Sequence, residues 1–382
     1  MKRSSERILT THTGSLPRPA DMISILQAKE TGEMQDRAAF AAQVKAAVAD
    51  SVRRQAAAGI DIVNDGEMGK PSYSTYVKDR LSGFGGERSS RLLATDLAEF
   101  PSFTKRGGRE TGVTVLKRPS CTGPITYAES EGVRTDIANL NAALTGAKYE
   151  EAFISAASPG VVSFFLSNHY YASHEAYIRA IADAMKTEYE AIVNAGFILQ
   201  VDCPDLAMSR HIQFKDLSLA EFRKTIELHI DALNHALANV PPDRSRLHLC
   251  WGNYEGPHHH DVALSDIIDI VLKARPQGLS YEASNPRHEH EWAVFKDVKL
   301  PDGKVLIPGV IDSVTNFVEH PELVAQRIGM LAGVVGRENV IAGTDCGFGT
   351  IAGVSRVDGE IAWAKLQSMA QGARLASQRL WA

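Results

Sequence analysis

From one end of the chain to the other, short apolar runs alternate with longer segments of helical period, and this alternation constrains the fold more than any other feature. Strand-like runs are expected at Ile8–Thr13, Ile60–Asp65, Val113–Leu116, Val161–Leu166, Phe197–Asp202, Leu247–Trp251, Leu279–Ala283, Val305–Ile311 and Val340–Asp345. Helical patterns lie between them, at Phe40–Ala58, His174–Ala195, Leu219–Ala238, Val262–Lys273, Pro321–Val335 and Gly359–Trp381. Strands that alternate with helices predict parallel βαβ units. The expectation is an α/β chain forming a single (β/α)8 TIM barrel with insertions, one domain over residues 1–382. Nine candidates for eight staves make one of the two runs around Val113 and Val161 an accessory piece. The Gly-, Ser-, Arg- and Glu-rich stretch 81–109 reads as a long excursion, and 134–160 as a second, irregular one.

Charge narrows the partners. A formal net charge of −5 over 382 residues leaves no footprint for nucleic acid or an anionic membrane. No stretch approaches the ~18–20 apolar residues of a span, and Met1–Thr13 lacks the apolar core of a secretion signal. The expected setting is cytoplasmic, with small-molecule partners; a homo-oligomer stays open. Cys121, Cys203, Cys250 and Cys346 are too far apart in too long a chain for a disulfide framework. Each reads as buried, catalytic or metal-binding.

Chemistry in an α/β barrel sits at the carboxyl ends of the strands. There the chain carries Gly14-Ser15, Asp65-Gly66-Glu67, Asp202, His248 with Cys250, Glu282, Asp312 and Asp345-Cys346. His248 and Cys250, at i and i+2 on a strand, share one face. With Glu282 and Cys346 from later strands they make one His, one Glu and two Cys, a tetrahedral set of the kind zinc accepts. Thiolates disfavour magnesium and calcium. The plainer alternative is that the cysteines are buried packing residues.

The segments Thr10-Thr11-His12-Thr13-Gly14-Ser15, Asp65-Gly66-Glu67, Thr122-Gly123-Pro124, Gln200-Val201-Asp202, His248-Leu249-Cys250, Tyr281-Glu282-Ala283-Ser284, Gly309-Val310-Ile311-Asp312 and Asp345-Cys346-Gly347 occur in this order along almost the whole chain. Jointly they resemble the catalytic half of cobalamin-independent methionine synthase and its smaller relatives, among them epoxyalkane:coenzyme M transferases. The resemblance implies a (β/α)8 barrel with Zn2+ on His248, Cys250, Glu282 and Cys346. It implies that Ser15, Glu67 and Asp202 hold the amino-acid part of a homocysteine-like thiol, and that the zinc-activated sulfur attacks an alkyl donor. Two acids suit an ammonium; the plainer roles are a turn for Ser15 and helix capping for Glu67 and Asp202.

The folate side departs from the family pattern. Val314 stands where the family has a histidine two residues beyond the aspartate matching Asp312. No tryptophan follows in Ile125–Ser130. Methyl transfer to the thiol is therefore expected from a donor other than the folate. The epoxide-opening reaction is the alternative, with Arg18, Lys70 or Arg287 for a sulfonate. Asp312 and His258 are the expected catalytic residues, with His259, His260, His288 and His290 as further acids. Asn168, Tyr170 and Tyr171 line a donor pocket or belong to the core. A metal-free barrel of the uroporphyrinogen decarboxylase type is a third reading, opposed by His248, Cys250 and Cys346 together.

Overall fold

Seven parallel strands pair side by side: β1 (Ile62–Asn64), β4 (Glu151–Ala157), β5 (Ile198–Asp202), β6 (Ser245–Leu249), β7 (Gly278–Tyr281), β8 (Val305–Ile311) and β9 (Gly343–Thr344). A separate antiparallel pair, β2 (Phe84–Gly85) with β3 (Ser120–Cys121), lies between β1 and β4 in the chain. In the computed structural model the described residues are 1–34, 36–86, 94–105 and 118–382, together with the backbone of 106–110.

The segment at Ile8–Thr13 is the eighth stave. The Thr11 N–H donates to the Ala342 carbonyl at 2.8 Å and the Ala342 N–H to that of Leu9 at 2.8 Å. On its other side the Ile62 N–H donates to the Thr10 carbonyl at 3.0 Å. These bonds join β9 to β1 through this segment and close the sheet.

Inside, the staves stack in layers. Leu9, Ile62, Phe153, Ile198, Val305, Ile307 and Ile341 pack together at the amino ends of the strands. Above them sits Arg246, fully buried. It donates to Gln200 Oε1 at 2.8 Å, Thr11 Oγ1 at 2.9 Å and the His12 carbonyl at 2.8 Å. Its guanidinium lies 3.6 Å from the Phe153 ring centre.

Helices coat the outside where their caps say they should start. Asp36 opens Arg37–Ala58, Ser173 opens His174–Asn194, Asp358 opens Gly359–Leu380, and Ser218 with Glu221 forms a capping box for Leu219–Ala236. Pro321 occupies the first turn of Pro321–Val335. The expected helix Val262–Lys273 is only the short turns Leu264–Asp266 and Ile268–Val271. A further helix, Ala20–Thr31, lies where the sequence pattern predicts none. Among the described residues no helix is long and apolar enough to cross a membrane.

Two strand expectations need correction. Val161–Leu166 is not a strand: Pro159–Phe165 is helical, because Ser158 Oγ accepts the Val161 N–H and Pro159 fills the first turn. The β-branched run Val161-Val162 suggested a strand, but the cap prevailed. The missing stave is β4, inside the stretch 134–160 expected to be irregular, which also takes in most of helix Glu131–Leu144. The sequence of β4, EAFISAA, is alanine-rich and weak in β-propensity; burial between β1 and β5 decides its state. The expected run Val113–Leu116 lies outside the described residues.

Candidate active site and metal centre

At the carboxyl ends of the staves opens a cavity of about 180 Å³. Its wall includes Ser15, Glu67, Asp202, His248, Cys250 and Cys346, six of the residues singled out from sequence. Tyr73, Phe165, Pro204, Met208, Tyr254 and Ile351 line it as well.

His248 is the penultimate residue of β6, and Cys250 follows two residues on, toward the same face. Cys346 follows β9. Cys250 Sγ lies 2.9 Å from Cys346 Sγ, and Cys346 Sγ lies 3.6 Å from His248 Nε2. The ligand atoms of these three buried residues all fall within 4.8 Å of one another. Glu282 Oε1 reaches 3.7 Å from Cys346 Sγ but stands outside that tight set. Its Oε1 accepts the Trp251 N–H at 2.8 Å and its Oε2 the Asn285 amide at 2.8 Å.

The protonation chemistry suits a cation at this point. Burial, then the charge of Arg246, pushes His248 down to about 3, so the imidazole is neutral. Ser280 Oγ at 3.2 Å from Nδ1 leaves Nε2 toward the thiols. The Cys346 thiol draws Cys250 down, but burial and the Glu282 carboxylate push it up to about 11. Burial holds Cys346 well above the ordinary thiol value. Two thiols, a neutral imidazole and a nearby carboxylate form a donor set that fits zinc and offers little to magnesium or calcium.

Asp345 orders the strand ends around this set. Its carboxylate accepts the backbone N–H groups of Ala283, Ser284 and Asn285 at 2.8, 2.9 and 2.9 Å, fixing the loop that carries Glu282. Gly309 makes room for it: a Cβ there would sit 2.0 Å from Asp345 Oδ1.

The two acids line the same cavity, Asp202 in register with His248 on the neighbouring strand. Glu67 has φ 55°, a left-handed backbone unusual outside glycine. Its Oε1 accepts the Ser155 hydroxyl at 2.6 Å; among the described residues no donor reaches its buried Oε2. Gly14, with φ 130°, leaves the space, since a Cβ there would meet Glu67 Oε1 at 2.8 Å. Asp202 ends β5 and accepts from Gln200 Nε2 at 2.8 Å. Burial and then the Glu67 carboxylate raise its pKa well above the carboxylate range. Neither acid caps a helix.

Other expected residues fall elsewhere. Asp312 does not line the cavity: its oxygens accept from the Val314 and Thr315 N–H groups and the Thr315 hydroxyl, folding its own loop. His258 is also off the wall. It pairs with Asp261 at 3.0 Å and stacks on Tyr254 with ring centres 4.0 Å apart. His288 bonds Asp261 and Glu291, at 3.0 and 2.7 Å. Asn168 organises the turn at Tyr170-Tyr171, and none of the three lines the cavity. Arg18 donates to the carbonyls of Gly349, Glu67 and Lys70, Lys70 to that of Ser155 and Arg287 to that of His258. None of these cations lines the cavity for a sulfonate. Sequence reasoning missed Tyr73 and Phe165, which line the cavity; the Arg118 guanidinium lies 5.2 Å from the Phe165 ring centre.

No protein-family model matches the chain. It is 25% identical over 377 residues to a methionine synthase of Saccharolobus solfataricus, covering 97% of this chain and 95% of that one. It is 24% identical over 377 residues to the methionine synthase of Thermococcus kodakarensis, covering 97% and 94%. Its fold superposes on a B12-independent methionine synthase from Shewanella sp. W3-18-1, solved with selenomethionine, with a TM-score of 0.74 at 20% identity over 98% of this chain and 99% of that one. A putative vitamin-B12-independent methionine synthase from Listeria monocytogenes gives 0.66 at 16% identity, over 96% and 98%.

Proposed function

We propose that this chain, a homologue along nearly its whole length of proteins named methionine synthase, is a zinc-dependent thiol S-methyltransferase acting on an amino thiol of the homocysteine type. One observation carries the reading: a single cavity is lined by His248, Cys250 and Cys346 and also by the carboxylates of Glu67 and Asp202. His248, Cys250 and Cys346 would hold the ion, with Glu282 as the fourth, oxygen ligand. Zinc, when bound, deprotonates a coordinated thiol that would otherwise be mostly protonated at neutral pH.

The chain's own residues do the rest. Glu67 and Asp202 take the ammonium of the thiol substrate; it supplies the donor that Glu67 Oε2 lacks and relieves the repulsion between the two acids. Ser15, which also lines the cavity, takes the substrate carboxylate. Tyr73, Phe165, Met208 and Ile351 enclose the methyl group in an apolar chamber. The sulfur attacks the methyl carbon, a C–S bond forms, and the bond from methyl to its carrier breaks with both electrons on the carrier.

Charge pairing with the ammonium has a measurable signature. Glu67→Gln and Asp202→Asn should each raise KM for the thiol while leaving bound metal unchanged. A charge-assisted bond worth about 1.5–3 kcal/mol corresponds to roughly 10- to 150-fold. Unaltered KM in both variants would remove the amino group from the substrate's description.

The donor side is tested by its need for a proton. With Val314 in place of the family's histidine and Asp312 turned to its own loop, methyltetrahydrofolate should be a poor donor. A sulfonium, which leaves neutral, should react faster with the same thiol by about 10²–10⁴-fold, the usual contribution of general acid catalysis. Equal or faster transfer from the folate would overturn this reading of the donor.

A further inference from the structure

We infer a second, outer divalent-metal site formed by Glu99, His259 and His260. Glu99 ends the helix Thr95–Glu99 in the excursion, whereas the two histidines lie in the loop after β6. His259 Nε2 lies 2.8 Å from Glu99 Oε2 and His260 Nε2 2.6 Å from Glu99 Oε1. The three ligand atoms fall within 4.8 Å of one another. The imidazole rings stand side by side with centres 4.2 Å apart, and Phe100 packs edge-on against His259 at 5.7 Å.

Two imidazoles converging on one carboxylate make a His₂Glu set, which zinc occupies with water completing the tetrahedron. Imidazole nitrogen selects zinc, cobalt or nickel over magnesium and calcium. The three side chains are each more than a third exposed, so their present hydrogen bonds are weakly held and an ion replaces them at small cost. Exposure also leaves open positions for water.

The position gives the ion a structural consequence. The neighbouring Asp96 is fully buried and accepts the Tyr254 hydroxyl at 2.7 Å and the His258 N–H at 2.9 Å. Tyr254 lines the catalytic cavity. A cation on Glu99, His259 and His260 pins the outer end of this strap, holding the excursion helix onto the loop that carries a cavity wall. The inference is independent of the chemistry proposed for the cavity.

Cobalt(II) titration of the full chain, with its cavity metal present as purified, separates the two sites. The outer site should take one further equivalent of Co2+ with no thiolate-to-cobalt charge-transfer absorption. That equivalent should disappear in the Glu99→Gln/His260→Ala double variant, whose changes are on the surface. It should persist in Cys250→Ser, which removes a thiol from the cavity set. A wild-type chain that takes no such equivalent, or a double variant that takes as much as wild type, overturns the proposal. Outer binding in a protein whose cavity holds no metal would sustain it while counting against the zinc reading of the cavity.

Discussion

Cys250→Ser and Cys346→Ser are each expected to empty the cavity of metal and to cut methyl transfer on the order of 10³-fold or more. A free thiol with a pKa near ~8.5 is only about 3% ionised at neutral pH, so losing its activation alone costs roughly 30-fold. Losing the fixed position of the sulfur against the methyl carbon costs the remainder. Serine keeps the shape of the side chain but replaces a soft ligand by a hard one. The barrel should survive: its core spans both faces of the sheet and does not depend on the ion. Metal analysis on protein prepared without chelators, with circular dichroism and a turnover assay on the same sample, checks all three statements. Full zinc content in both serine variants would remove these cysteines from the ligand set; collapse of the fold would make the metal structural.

The largest stability effect is expected at Arg246. Replacing it with alanine should cost about 3–5 kcal/mol, the range for removing a large buried side chain. It would also strand the acceptors on Gln200, Thr11 and His12 in the barrel interior. Burial lowers the pKa of this guanidinium to about 9, and the Asp202 carboxylate opposes that shift. The group therefore remains charged at neutral pH, and its bonds tie the Ile8–Thr13 stave to β5 and β6. Arg246→Met, which restores much of the volume without the donors, should recover only part of the loss. Urea unfolding of the three proteins gives the comparison. A change below about 1 kcal/mol in Arg246→Ala would mean that the closing stave is held by its backbone bonds alone.

What was legible in the sequence follows from local chemistry. Ser218, Asp358 and Pro321 start their helices through caps that lie within a few residues of the groups they satisfy. The apolar runs at Phe197–Asp202 and Val305–Ile311 became β5 and β8 because buried parallel strands read as continuous hydrophobic sequence. The strand-end rule gathers Ser15, Glu67, Asp202, His248, Cys250 and Cys346 from the sequence, since in such a barrel one end of every stave faces the same mouth.

Tertiary structure decided the rest, wherever a residue's role depends on a partner far away in the chain. The weak strand formers of β4 pair because β1 and β5 stand on either side. The helix after it carries Phe165 into the cavity, a placement fixed by where β4 ends. Asp312 closes a strand as the rule requires, yet three donors of its own loop claim its oxygens. His258 is drawn away by Asp261, and Glu282 is held beside Cys346 by Trp251 and Asn285. A single chain shows which residues reach the mouth of the barrel. Which of them face the substrate is set by competition among hydrogen-bond partners, and that exists only once the staves have closed.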